Sequence, residues 1–240
     1  MKRLLPLLLL ATALVTGPLP ASVAAPAPAA AATTEPVRLD GVTVRLKPRT
    51  TQVVTVNHTR GHHARVTFWA LSHGEWVARF RAVDGRIGYA GLVAPTERVQ
   101  GSGKTPLGTH RLPWAFGTHA RRDGWETSYR RIGRDDYWVL DNASDHYNEW
   151  RSRRQGGFRW RLPASDPNAS EHLRDYPQQY EYAVSTSFNH TQVRHRGGAI
   201  FLHVNGRGAT AGCVSAPRWF LRRLLGRLDA DRVPVIAIGR

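Results

Sequence analysis

Ala199-Ile200-Phe201-Leu202-His203-Val204, followed by Asn205-Gly206-Arg207-Gly208-Ala209-Thr210-Ala211-Gly212-Cys213-Val214-Ser215, is the stretch on which the reading of this chain turns. Its first six residues are apolar, aromatic or β-branched apart from His203, and read as a strand that carries the histidine. The glycines that follow mark a loop. Beyond the cysteine, Ser215 is placed to cap a helix, with Pro217 in the first turn where a missing N–H costs nothing. Phe220, Leu221, Leu224, Leu225 and Leu228 fall on one face of that helix, and Arg218, Arg222, Arg223 and Arg227 point elsewhere. Cys213 is therefore expected just before a helix start, where backbone N–H groups favour thiolate over thiol. With a strand-borne histidine nearby it forms a candidate nucleophile pair, and the Gly212 and Cys213 amides are candidate oxyanion donors. Blander readings compete. A free cysteine is most often a buried small hydrophobe, and a strand histidine is often a hydrogen-bonded core residue.

Working outward, segments 52–56, 65–69, 76–80, 137–140, 180–184 and 233–238 also read as short strands rich in β-branched and aromatic residues. Asp84-Gly85, Gly101-Ser102-Gly103, Asp123-Gly124 and Gly197-Gly198 read as turns. The expected fold is mainly β, with one or two packed helices. Residues 141–179 are long, polar and studded with Trp150, Phe158, Trp160 and Tyr176. A connection of this length is expected either as a lid or substrate-binding wall, or as a peripheral insertion packing on itself.

At the other end, Met1-Lys2-Arg3 precedes a leucine-rich stretch and the small residues Ala21-Ser22-Val23-Ala24-Ala25. Residues 1–25 read as a secretory signal peptide, 26–36 as a flexible Ala/Pro-rich leader and 37–240 as a single domain. An uncleaved membrane anchor is the rival reading, but the apolar stretch falls short of the roughly 20 residues a span needs. No later segment is long and apolar enough to span, so the mature chain is expected without a transmembrane segment, secreted to the cell wall or the extracytoplasmic space. A single cysteine in an exported chain cannot form an internal disulfide and reads as an intermolecular bridge or a reactive thiol.

Against 18 acidic residues stand 34 Lys and Arg, a formal charge of +16. Such a surface favours anionic partners, for an exported chain anionic wall polymers. Nucleic acid fits the charge too, but the arginines are scattered and export removes the chain from it, so no nucleic-acid partner is expected. His62, His63 and His73 make no zinc signature and there is no second cysteine. The segment around Lys104-Thr105 lacks the full phosphate-loop spacing. No metal and no cofactor is expected.

Gly-Lys-Thr-Pro-x-Gly at 103–108, the strand carrying His203, and Thr-x-Gly-Cys-Val at 210–214 together resemble the L,D-transpeptidase catalytic domains of the YkuD type. Tyr137-Trp138-Val139 with Tyr147-Asn148, and the stretch from Tyr182 to Asn189, are similar to one bacterial branch of that family. The resemblance covers about residues 52–238. It implies a β-sandwich-like catalytic domain acting on peptidoglycan stem peptides. The cysteine attacks the carbonyl of the L-centre of a diamino acid, expels the terminal D-alanine and forms a thioester. An amine from a second stem resolves it into a cross-link, or water resolves it as a carboxypeptidase step. Matched by motif, Cys213 is the nucleophile, His203 the general base, and Thr210 the small hydroxyl residue that positions the loop; Gly103 to Gly108 border the cleft.

This chain departs from the pattern at Ala211, where many members have histidine, and at Ser215, where many have an arginine that holds a substrate carboxylate. The spacing from His203 to Cys213 is also shorter. Arg207 and Arg218 are the two candidates for the missing guanidinium. The alternative to an enzyme is a non-catalytic wall-polymer-binding module with the same fold; a polyanion-binding protein without a wall role is the third reading.

Overall fold

The computed structural model describes residues 35–240. The signal-peptide reading of 1–25 lies outside the described residues, as does the leader reading of 26–36 up to residue 34.

Every segment read as a strand overlaps one; those at 52–56, 65–69 and 76–80 run longer than the pattern, and those at 137–140, 180–184, 199–204 and 233–238 are shorter. Gln52–Arg60, His63–Ser72 and Glu75–Arg86 form an antiparallel meander. It is the centre of a ten-stranded sheet. From one edge the order is Tyr129–Arg131, Ala115–Gly117, Ala183–Ser185, Phe201–Val204, Val214–Ala216, Glu75–Arg86, His63–Ser72, Gln52–Arg60, Val235–Gly239 and Gly108–Arg111. The sheet curls, and register shifts near His58, Ala64 and Phe68 bend the long strands. The fold is mainly β, as expected.

Two local expectations are corrected. Asp84-Gly85 is not a turn but lies inside Glu75–Arg86. A Cβ on Gly85 would sit 2.4 Å from the Val66 side chain and 2.8 Å from the Ala64 carbonyl, so the glycine is there for close strand approach. The segment Trp76 to Phe80 is expected to alternate between a buried and a wet face, but the alternation starts only at Phe80. Val77, Ala78 and Arg79 are all exposed, whereas Phe80 and Ala82 are buried.

The two faces of the strand Phe201–Val204 meet different partners, because successive side chains point to opposite sides. Leu202 and Val204 join Val214, Ala216 and the core under the helix Arg218–Leu225. That helix buries Phe220, Leu221, Leu224 and Leu225 completely, each leucine contributing about 2 kcal/mol. Phe201 on the other face joins an aromatic cluster of Phe116, Trp138, Tyr180 and Ala199, against which Cys213 packs. Residues 141–179 are ordered as short pieces over this second face. Trp150–Ser152 and Glu171–His172 flank Asp136–Trp138 in a three-stranded sheet.

Candidate active site

The cysteine and the histidine are brought together by strand register. Phe201–Val204 runs parallel to Val214–Ala216, with Leu202 opposite Val214 and His203 opposite Ser215. Cys213 precedes Val214 by one residue, so it shares a sheet face with Phe201 and His203. The Phe201 N–H donates to the Cys213 sulfur at 3.4 Å, and the Cys213 S–H donates to the Ala199 carbonyl at 3.0 Å. His203 is buried, its Nδ1 is 2.8 Å from the Val204 carbonyl, and its ring meets Tyr180 edge-on at 5.5 Å. A carbonyl only accepts, so Nδ1 carries the proton and the neutral ring leaves Nε2 bare as a base.

The expected helix start at Cys213 is not there. Val214, Ser215 and Ala216 form a strand instead, and the helix begins at Arg218 behind Pro217. Ser215 caps nothing; it is fully buried and donates its hydroxyl to Asn205 Oδ1 at 2.7 Å. The ladder to the histidine strand outcompetes a cap that could satisfy only one or two N–H groups. With no helix terminus beside it, the thiol is not acidified. Burial pushes it up to about 12, and the Glu171 charge adds to this; the Phe201 N–H and the Arg98 guanidinium act against it. Burial likewise lowers His203 to about 4, partly offset by its bond to Val204. At neutral pH the pair is thiol and imidazole, both uncharged.

Two threonines shape the backbone at Cys213. Thr210 Oγ1 donates to the Cys213 carbonyl at 2.6 Å and accepts from the Gly212 N–H at 3.2 Å. Thr105, fully buried, donates to the Gly212 carbonyl at 2.8 Å and accepts from the Gly88 N–H at 2.8 Å. None of Gly103 to Gly108, expected to border the cleft, lines it; the segment acts from behind, through the Thr105 hydroxyl and the Lys104 carbonyl that accepts from Arg98. Gly212 has φ 137°, and a Cβ there would lie 2.9 Å from Arg98 Nη2 and 3.0 Å from the Lys104 carbonyl. Only glycine fits.

Cys213 and His203 open into a cleft of about 680 Å³, which Thr210 and Arg207 also line. Residues 141–179 form one of its walls, through Trp160, Glu171 and Tyr176 among others. Of the residues singled out from sequence, the structure collects Cys213, His203, Gly212, Thr210 and Arg207 here. It does not bring Arg218: that side chain is exposed at the helix start and holds Glu181 through two contacts of 2.5 Å. Arg207 is exposed on the cleft rim.

A different arginine occupies the interior. Arg98 is 6% exposed, donates Nε to the Lys104 carbonyl and Nη1 to the Arg196 carbonyl, and forms no ion pair among the described residues. Its remaining nitrogen, Nη2, lies against Gly212. Sequence reading missed it because it lies 115 positions before the cysteine (213 minus 98) in a polar run with no pattern. Tyr180 was read only as part of a strand, and Glu171 not at all. Among the described residues no group of three His, Cys, Asp or Glu side chains is placed to hold a metal, and no helix is long and apolar enough to cross a membrane.

The family model for the L,D-transpeptidase catalytic domain, YkuD, matches residues 51–236. Among solved structures, the chain is similar to the helical cell shape determining protein Pgp2 (K307A mutant) of Campylobacter jejuni, at 13% identity and a TM-score of 0.39, covering 79% of this chain and 47% of that one. It is also similar to L,D-transpeptidase 1 of Mycobacterium tuberculosis, at 12% identity and a TM-score of 0.34, covering 78% of this chain and 61% of that one. The chain therefore spans less than two thirds of either neighbour. Among curated proteins none matches.

Proposed function

The chain belongs to the YkuD family of L,D-transpeptidase catalytic domains, and from that premise we propose that it is an exported enzyme that remodels peptidoglycan through a thioester on Cys213. The observation that carries this is the shared sheet face of Cys213 and His203, at one cleft, with a bare imidazole Nε2 and a thiol. The substrate is a stem peptide cleaved between an L-centre and a terminal D-residue.

As the sulfur attacks the carbonyl carbon, Nε2 of His203 takes the thiol proton and a C–S bond forms. The Gly212 N–H is already bonded to Thr210, so the Cys213 N–H is the backbone donor assigned to the oxyanion. Arg98 adds positive charge in a site that excludes water, where charge counts most. The imidazolium then protonates the departing amine as the C–N bond breaks. Acceptor attack, by an amine or by water, releases the thiol. Arg207 on the rim is positioned to meet a substrate carboxylate, and the formal charge of +16 suits retention among anionic wall polymers.

Incubation with a defined disaccharide-tetrapeptide, followed by mass spectrometry, tests the reading. Expected are an acyl-enzyme on Cys213 and either cross-linked dimer or tripeptide as product, all lost in Cys213→Ala. Turnover undiminished in that variant would sink the proposal. The rival, a wall-polymer-binding module without chemistry, draws on the same unacidified thiol. It predicts polymer binding with no product at all.

A further inference from the structure

One wall of the cleft differs in chemistry from the rest. Glu171 sits in the short strand Glu171–His172, paired with Trp138, and its carboxylate accepts a hydrogen bond from the hydroxyl of buried Tyr180. Tyr180 in turn sets its ring edge-on against His203 and against Phe201, with centroids 5.5 and 5.7 Å apart. Phe201 is the residue whose N–H reaches the Cys213 sulfur. One phenol therefore binds the carboxylate and packs against His203 and against Phe201, the residue next to the Cys213 sulfur. Asp175 and the exposed ring of Tyr176 line the same wall.

In a chain with 34 basic and 18 acidic residues, Glu171 forms no ion pair with any Arg, Lys or His among the described residues. Other carboxylates facing arginine are already paired: Asp40 with Arg65, Asp135 with Arg153, Asp141 with Arg159 and Glu181 with Arg218. A carboxylate left without a cation, turned into the cleft of the nucleophile and flanked by tyrosine rings, is a receptor for a cation.

We propose that Glu171 and Tyr180 form the subsite for an incoming primary amine, the ammonium group of a second stem peptide, so that the acyl acceptor is an amine. This rests on the thioester reading above. Burial raises Glu171 to about 7, with Asp175 adding to the rise and the Tyr180 hydrogen bond opposing it, which suits the carboxylate to take a proton from an ammonium ion. Tyr180 is pushed well above 10 and stays a donor. The ammonium gives one proton to the Glu171 carboxylate. The amine nitrogen bonds to the thioester carbonyl carbon as the C–S bond breaks. A second proton passes through His203 to the departing sulfur and restores the thiol; the third stays on the new amide.

The test uses the full chain with a disaccharide-tetrapeptide as both donor and acceptor, comparing wild type with Glu171→Gln and Glu171→Asp. Acyl-enzyme is quantified by intact mass, and the dimer-to-tripeptide ratio by mass spectrometry of the products. Glu171→Gln is expected still to form the acyl-enzyme on Cys213 while its dimer-to-tripeptide ratio falls roughly ten- to hundredfold, the worth of one charged hydrogen bond. Glu171→Asp is expected to recover part of that ratio. An unchanged ratio overturns the proposal, as does a wild type that acylates but yields only tripeptide at every amine concentration. Loss of acylation in Glu171→Gln that Glu171→Asp fails to restore overturns it too, since the residue then serves the fold or the first step. Absence of any acyl-enzyme in wild type is a different result: it removes the thioester reading itself.

Discussion

The chain has one cysteine, so alkylation by iodoacetamide, followed as whole-protein mass, counts Cys213 alone. In the folded protein this thiol is raised from 9.0 to about 12. Three units mean about a thousandfold less thiolate at pH 7 than in the unfolded chain. A more basic thiolate is also a better nucleophile, and a Brønsted coefficient of about 0.4–0.5 returns roughly twentyfold of that loss. Folded protein is therefore expected to alkylate on the order of 50-fold more slowly at pH 7 than the same chain in urea. Restricted access to the sulfur slows the reaction further but leaves its pH dependence alone. The folded rate should keep rising about tenfold per pH unit past pH 10, while the unfolded rate levels off above about pH 9. A folded rate equal to or above the unfolded one, with an inflection below about pH 8, refutes the neutral pair. It would show a preformed thiolate–imidazolium couple instead.

Three further outcomes follow from the same geometry. His203 titrates at about 4 in the fold against an ordinary 6.5, so its contribution to stability is intact above pH 6.5 and is lost as pH falls from 6.5 through 4. The 2.5-unit gap corresponds to about 3 kcal/mol at most; urea unfolding at several pH values should show a slope that His203→Gln flattens. Thr105→Val keeps the shape but strands the Gly88 N–H and the Gly212 carbonyl. It should cost about 2–3 kcal/mol and slow acyl-enzyme formation at least tenfold, measured by urea unfolding and by single-turnover mass spectrometry. Leu224→Ala removes a fully buried leucine from beneath the sheet. Thermal unfolding should report a loss of about 2–5 kcal/mol, with the rate of Cys213 acylation per folded molecule unchanged.

The sequence by itself determined the central strands and singled out Cys213 with His203. Period-two and β-branched patterning depends on side chains a few residues apart, so the central meander, the histidine strand and the leucine face of the helix were all legible. The family motifs at 103–108 and 210–214 were local enough to quote, and the family match over 51–236 agrees with them. What surrounds the sulfur was not legible. Ser215 looks like a helix cap in isolation, and only the ladder with Phe201–Val204 decides that it lies in a strand, with the helix start moved to Pro217 and Arg218. That single substitution of ladder for cap removes the helix dipole and reverses the expected acidity of Cys213. Of the two guanidinium candidates read from sequence, Arg207 lies on the cleft and Arg218 is committed to Glu181, while the buried Arg98 beside Gly212 carried no local signal. The long segment 141–179, open in sequence between wall and insertion, supplies a wall of the cleft and places Glu171 there. Burial and charge at a site are sums over residues distant in the chain, which pattern along one strand or helix does not carry; only the folded arrangement sets them.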